Sequence, residues 1–325
     1  MKALIVLFFL SSFIAAKESV YTPSSADTKV VTKLTSFSYD GREVPLKIYL
    51  PASKKPVPLI LLSHGLGGSR KVGAYLGEQW ARAGYVVVAM QHVGSDESVW
   101  KDVPPLQRKR ALTKAASVQT FLARMKDVPA TLDQLEKWNV EKNHLLEKRM
   151  DMDHIGIGGH SYGAVTTQAL AGQQFGPMGP AYLDKRIDAG FAMSPSIPRK
   201  GGDAKKAFGK IAIPMLLMTG TKDGNFITKA PPESRRGVFA ALPASDKKAK
   251  TLHYQLVFKD AEHGAFSDHK LPGEDTRNPN HHRAIKAIST AFWDSALKNN
   301  AKASDWLNGK SPTTYLAKGD LWQKK

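Results

Sequence analysis

Apolar and polar residues alternate near the start of the chain and gather into solid apolar runs further on. Residues 29–37 mix apolar and polar positions with several β-branched ones, Tyr39-Asp40-Gly41-Arg42 has turn chemistry, and residues 44–50 alternate again. This predicts an antiparallel hairpin, with Pro45 keeping its second strand near a sheet edge. From Leu59 the pattern changes. Leu59-Ile60-Leu61-Leu62-Ser63, residues 85–90, the run from Ile155, and residues 187–193, 211–218 and 253–258 are largely apolar, as strands buried on both faces are. Helical patterns fall between them at 72–82, at 106–125 and 132–150 with Pro129 as the break, after Ser161, at 233–242, and at 282–297. An antiparallel entrance followed by strands alternating with helices predicts one α/β sandwich built on a mostly parallel sheet.

The ends read differently. Residues 1–16 carry Lys2, an apolar stretch and a small-residue close at Ala15-Ala16, the pattern of a secretory signal peptide cleaved near Ala16. An uncleaved anchor is the weaker alternative, and lipid attachment is excluded because there is no cysteine to acylate. The expectation is a secreted or periplasmic product, since no later segment is apolar for long enough to cross a membrane. Residues 17–28 read as a flexible leader, 29–300 as the single domain, and 301–325 as a polar tail, with Trp306, Leu316 and Trp322, that packs only in part. Residues 125–149 read as two surface helices on the sheet, with a small cap over the site as the alternative.

Composition narrows the chemistry. Zero cysteines remove disulfides, a thiol nucleophile and thiolate metal sites. The formal charge of +18 predicts weak attraction to anionic surfaces. Against this stands the blander reading of a solubilising surface, because the cations are scattered. Arg108-Lys109-Arg110 is short and lacks interleaved aromatics, so nucleic acid is not an expected partner.

The richest stretch is Ile155-Gly156-Ile157-Gly158-Gly159-His160-Ser161-Tyr162-Gly163-Ala164. It reads as strand, sharp turn and helix with a serine at the apex, and the glycines on either side let strand and helix approach closely. A serine hydroxyl needs a base, and the base needs an acid to orient it. His263 follows the last predicted strand, where a parallel sheet places its site. His269, in the same loop, is its rival. Asp223 follows an apolar strand and precedes a glycine turn, giving the order Ser161, Asp223, His263. Asp260 and Glu262 are alternatives too close to His263 in sequence, and Asp188 sits at the wrong end of its strand.

Ser63-His64-Gly65-Leu66-Gly67-Gly68-Ser69 can aim a backbone N–H at a substrate carbonyl oxygen. The expected oxyanion donors are the N–H groups of Leu66 and Tyr162, with Gly65 and His160 beside the substrate. The glycines lack the ending of a phosphate-binding loop, and no helical histidine pair suggests a metal, so no cofactor is expected.

In this layout the chain resembles the α/β-hydrolase family over nearly all of its length past residue 16. Leu62-Ser63-His64-Gly65-Leu66-Gly67 and Gly159-His160-Ser161-Tyr162-Gly163 are similar to the group of plasma-type platelet-activating-factor acetylhydrolases, cutinase-like polyesterases and dienelactone-hydrolase-like proteins. The step from Gln79 to Val87 is a weaker likeness. The resemblance implies a sheet of about eight strands with helices on both faces, no cofactor, and hydrolysis of carboxylic esters through an acyl-enzyme. It is incomplete in three places. Dienelactone hydrolases use a cysteine. Plasma-type acetylhydrolases take their acid one strand earlier, where this chain has Met193-Ser194-Pro195. Cutinase-type enzymes often brace the site with disulfides. The expected substrate is a small-molecule, lipid or polymer ester. The alternatives are a peptidase or amidase on the same scaffold, and an inactive binding protein for anionic surfaces.

Overall fold

The computed structural model describes residues 21–23, 29–198, 202–224, 230–244, 252–268, 274 and 278–325. Residues 1–16, and His269 with them, lie outside these. The expected hairpin is β1 (Val31–Tyr39) and β2 (Arg42–Leu50), turning through Asp40 and Gly41 at positive φ. The apolar runs become β3 (Val57–Ser63), β4 (Val86–Met90), β5 (Met150–His160), β6 (Ala189–Met193), β7 (Met215–Gly220) and β8 (His253–Phe258). A further strand, β9 (Leu321–Lys324), closes the chain. All nine lie in one sheet, in the order β1-β2-β4-β3-β5-β6-β7-β8-β9. Strands β3 to β8 are parallel, while β1, β2 and β9 pair antiparallel with their neighbours.

Helices cover both faces. On one side lie α1 (Ala74–Arg82), α7 (Pro279–Leu297) and α8 (Ala301–Asn308), which bury Trp80, Ile288, Trp293 and Leu307 against Ile60, Val87, Phe191 and Leu256. On the other, α3 (Val118–Val140) and α4 (Tyr162–Leu170) pack on β2 to β5, and α5 (Ala204–Phe208) with α6 (Gly237–Ala241) pack on β6 and β7. The exposed α2 (Pro105–Ala115) buries no residue.

The expected architecture is observed, and among the described residues the sheet of about eight strands has nine, because the tail adds β9, whose Trp322 stacks on Tyr254 at 5.4 Å. One expectation is corrected. Pro129 does not break the helical region. It sits inside α3, which starts at a Ser117 capping box and runs unbroken to Val140. An interior proline costs about 3 kcal/mol. Met125, Val128, Leu132 and Leu135 are all buried against the sheet, at about 1.5–3 kcal/mol each, so burial outweighs the proline. The helix ends at Val140 and not at residue 150, and residues 150–153 belong to β5.

Candidate active site

Strand β5 and helix α4 meet at Ser161, which holds φ 57° and ψ −111°. That backbone is rare for a residue with a side chain, and it is the geometry that a nucleophile elbow uses. The flanking glycines are required by space. A Cβ on Gly159 would lie 2.4 Å from the Gly163 backbone, and one on Gly163 would lie 1.9 Å from the Ser63 carbonyl oxygen. The turn is further pinned by the Ser161 N–H, which donates to the Met193 carbonyl at 2.9 Å.

Ser161, Asp223 and His263 converge. Ser161 Oγ is 2.9 Å from His263 Nε2, and His263 Nδ1 is 2.6 Å from Asp223 Oδ1. The three follow the C-terminal ends of β5, β7 and β8, as a parallel sheet allows. The loop bearing His263 is fastened to α1, since the Tyr75 hydroxyl donates to the Phe266 carbonyl at 3.0 Å and the Gly73 N–H donates to Asp268. The other acids face elsewhere. Asp260 is exposed and lies 3.5 Å from Lys222, and Asp188, just before β6, accepts from the Ile155 N–H in the middle of β5.

Asp223 is fully buried. Burial alone would push its carboxyl up, but the His263 hydrogen bond and the His263 and Arg235 charges hold it below the usual carboxylate value. Thr219 Oγ1 donates to Oδ2 at 2.9 Å, and Arg235 Nε lies 2.9 Å from Oδ1. Neither Thr219 nor Arg235 is apparent from the sequence, because nothing in Glu233-Ser234-Arg235-Arg236 distinguishes the buried arginine from the exposed one.

The 63–69 loop passes close to the serine, and a Cβ on Gly65 would lie 3.5 Å from Ser161 Cβ. Among the described residues, no backbone acceptor outside the regular elements takes the N–H of Leu66 or of Tyr162. His160 is buried, with its ring 4.7 Å from that of His263 and 6.0 Å from Phe266. Burial, and then the nearby His263, push its imidazole well below the usual range, so it packs on the His263 ring in the neutral form. His64 and His92 brace the loop from beneath. His92 Nε2 meets Ser63 Oγ at 2.9 Å and its Nδ1 meets Asp127 Oδ2 at 2.9 Å, a second serine-histidine-aspartate relay that is wholly buried. Among the described residues no cluster of three or more histidine and acidic side chains could hold a metal, and no helix is long and apolar enough to cross a membrane.

Residues 26–101 match the family model of platelet-activating factor acetylhydrolase, isoform II. The match supports the platelet-activating-factor-acetylhydrolase-like α/β-hydrolase family. It spans β1 to β4 and the 63–69 loop, and it implies a hydrolase acting on esters. No curated protein matches the chain at a significant level.

Proposed function

We propose that the protein is a serine hydrolase that cleaves carboxylic esters through an acyl-enzyme. The observation that carries the reading is the linked pair of contacts from Ser161 through His263 to Asp223, with the serine on a strained elbow. Ser161 Oγ attacks the acyl carbon while His263 Nε2 takes its proton, and Asp223 keeps the other ring nitrogen protonated and the imidazole aligned. The oxygen that becomes negative is bound by the Leu66 and Tyr162 N–H groups, with Gly65 beside it. Collapse of the tetrahedral adduct breaks the bond to the alcohol, which leaves with the proton from His263. Water, deprotonated by the same histidine, then releases the acid. His160 serves the site by packing on His263 and keeping that face of the ring uncharged.

Export through the signal sequence at 1–16 is part of the proposal, and N-terminal sequencing of exported protein checks it: a start near Lys17 is expected. The catalytic reading is tested with a fluorophosphonate probe. A stoichiometric adduct on Ser161 is expected, absent in Ser161→Ala and lost in His263→Ala. An intact protein that does not label would refute the reading. Faster turnover of an anilide than of the ester with the same acyl group would move the assignment to an amidase.

A further inference from the structure

Arg124, in α3, is completely buried, and Asp127 and Asp96 act on it only through space. A buried cation without a paired anion is costly. Burial is strong enough here to pull even a guanidinium down to about 10. Its partners are neutral. Nη1 donates to the His64 carbonyl at 2.7 Å and lies 3.4 Å from Ser63 Oγ, while Nε donates to Ser95 Oγ at 2.9 Å. The guanidinium carbon stands 4.3 Å from the centroid of the Tyr162 ring.

Two of the partners, Tyr162 and His64, lead to the two proposed oxyanion donors. Tyr162 carries one of them, and its hydroxyl is tied to Thr120 Oγ1 at 3.1 Å and to the Ser117 carbonyl at 3.2 Å, at the start of α3. Leu66 carries the other, and its N–H shares a peptide with the Gly65 carbonyl. That carbonyl accepts from His64 Nδ1 at 2.6 Å and from the Gly68 N–H at 3.1 Å. The His64 proton is on Nδ1, because Nε2 accepts the His92 backbone N–H at 3.0 Å. In a trans peptide C=O and N–H point in opposite directions, so fixing the Gly65 carbonyl fixes the aim of the Leu66 N–H. Ser95 closes the frame, since its carbonyl accepts the Gly67 N–H at 2.9 Å. Arg124 is the side chain that holds His64, Ser95 and Tyr162 together.

We propose that Arg124 is a positioning residue of the oxyanion hole, aligning the Leu66 and Tyr162 N–H groups and setting a buried positive charge behind both. The inference rests on the ester-hydrolase reading above. A developing oxyanion gains from a fixed charge and aligned dipoles, whereas a neutral bound ester gains little. The effect therefore belongs to kcat and not to KM.

Arg124→Met keeps the bulk of the stem and removes the charge and the fork. For the folded variant, kcat on a p-nitrophenyl ester is expected to fall about a hundredfold with KM within about threefold, near the low end of losing one oxyanion donor. Affinity for a trifluoromethyl ketone, which forms an oxyanion adduct with the serine, should fall by the same factor. Affinity for the matching methyl ketone, measured as a reversible inhibitor, should hold. Loss confined to KM, equal loss for both ketones, or unchanged kcat each overturns the proposal. If Arg124→Met does not fold, Arg124→Lys decides. A lysine keeps the charge but cannot serve His64 and Ser95 together, so kcat should fall about fivefold in step with trifluoromethyl ketone affinity, and no change overturns the proposal. A wild-type protein that turns over no ester overturns both readings, while an active wild type with indifferent Arg124 variants overturns only this one.

Discussion

One guanidinium, Arg235, joins the ends of β6 and β7. It donates to the carbonyls of Asp223 at 2.7 Å, Ser194 at 2.8 Å, Pro195 at 3.1 Å and Gly224 at 3.1 Å, and it pairs with the Asp223 carboxylate. Removing it strands buried acceptors and leaves a buried carboxylate with Thr219 and His263 as its remaining partners, and breaking such an ion pair costs about 3–5 kcal/mol. Arg235→Met should lose about that much stability in urea denaturation. The folded fraction should also lose kcat about tenfold, because Asp223 no longer holds the imidazole in line; unchanged kcat and stability would contradict this. Ser161, Asp223 and His263 are legible in the sequence because each stands where an apolar run stops, and an apolar run is a long signal. Arg235 and Arg124 are not legible. Each is a cation in a charged segment, and what buries it comes from strands distant in the chain.

Among elements, β9 has the weakest signature and a large structural effect. Its four residues are exposed or half-buried, a pattern shared with ordinary polar tail, so nothing local marks it as a strand. It is recruited by β8, whose outer edge it covers with antiparallel pairing from Tyr254 to Val257 and two bonds between His253 and Lys325. All six residues of β8 are buried, and an apolar strand with an open edge invites pairing between chains. Deleting residues 321–325 should make the protein associate as concentration rises, measured by light scattering. It should also lower stability by about 1–3 kcal/mol, with the lost Tyr254–Trp322 stack contributing about 0.5–1.5 kcal/mol. A deletion variant that stays monomeric and as stable as the parent would show that β9 is dispensable. Helix α3 illustrates the opposite problem: Pro129 is a strong local signal, and tertiary burial of one helix face overrides it.

At the scale of the molecule, four of the buried histidines shape the response to acid. Burial pushes His64 and His160 well below the usual range and His92 and His253 down to about 4, with nearby positive charges adding to the effect. The unfolded chain takes up these protons near pH 6.5 while the folded one refuses them. Stability from this source is therefore fully present above about pH 6.5 and drains as pH falls toward 4. The loss is about 1.4 kcal/mol per pH unit for each histidine. Calorimetry from pH 8 to pH 4.5 should show Tm flat at first and then falling steeply below about pH 6. A level profile would mean that the buried rings take up protons in place.

The two serine-histidine-aspartate relays lie in one molecule with the same atoms in the same order. One hangs on a strained turn at a half-buried serine, and the other is sealed under the loop that faces it, with Ser63 1% exposed in a strand end. They form a controlled comparison that needs no mutagenesis. If the fluorophosphonate probe marks Ser161 and leaves Ser63 untouched, connectivity is identical in the two relays and only address differs. Reactivity would then be a property of the place a hydroxyl occupies, and counting matched side chains would overstate the chemistry twofold.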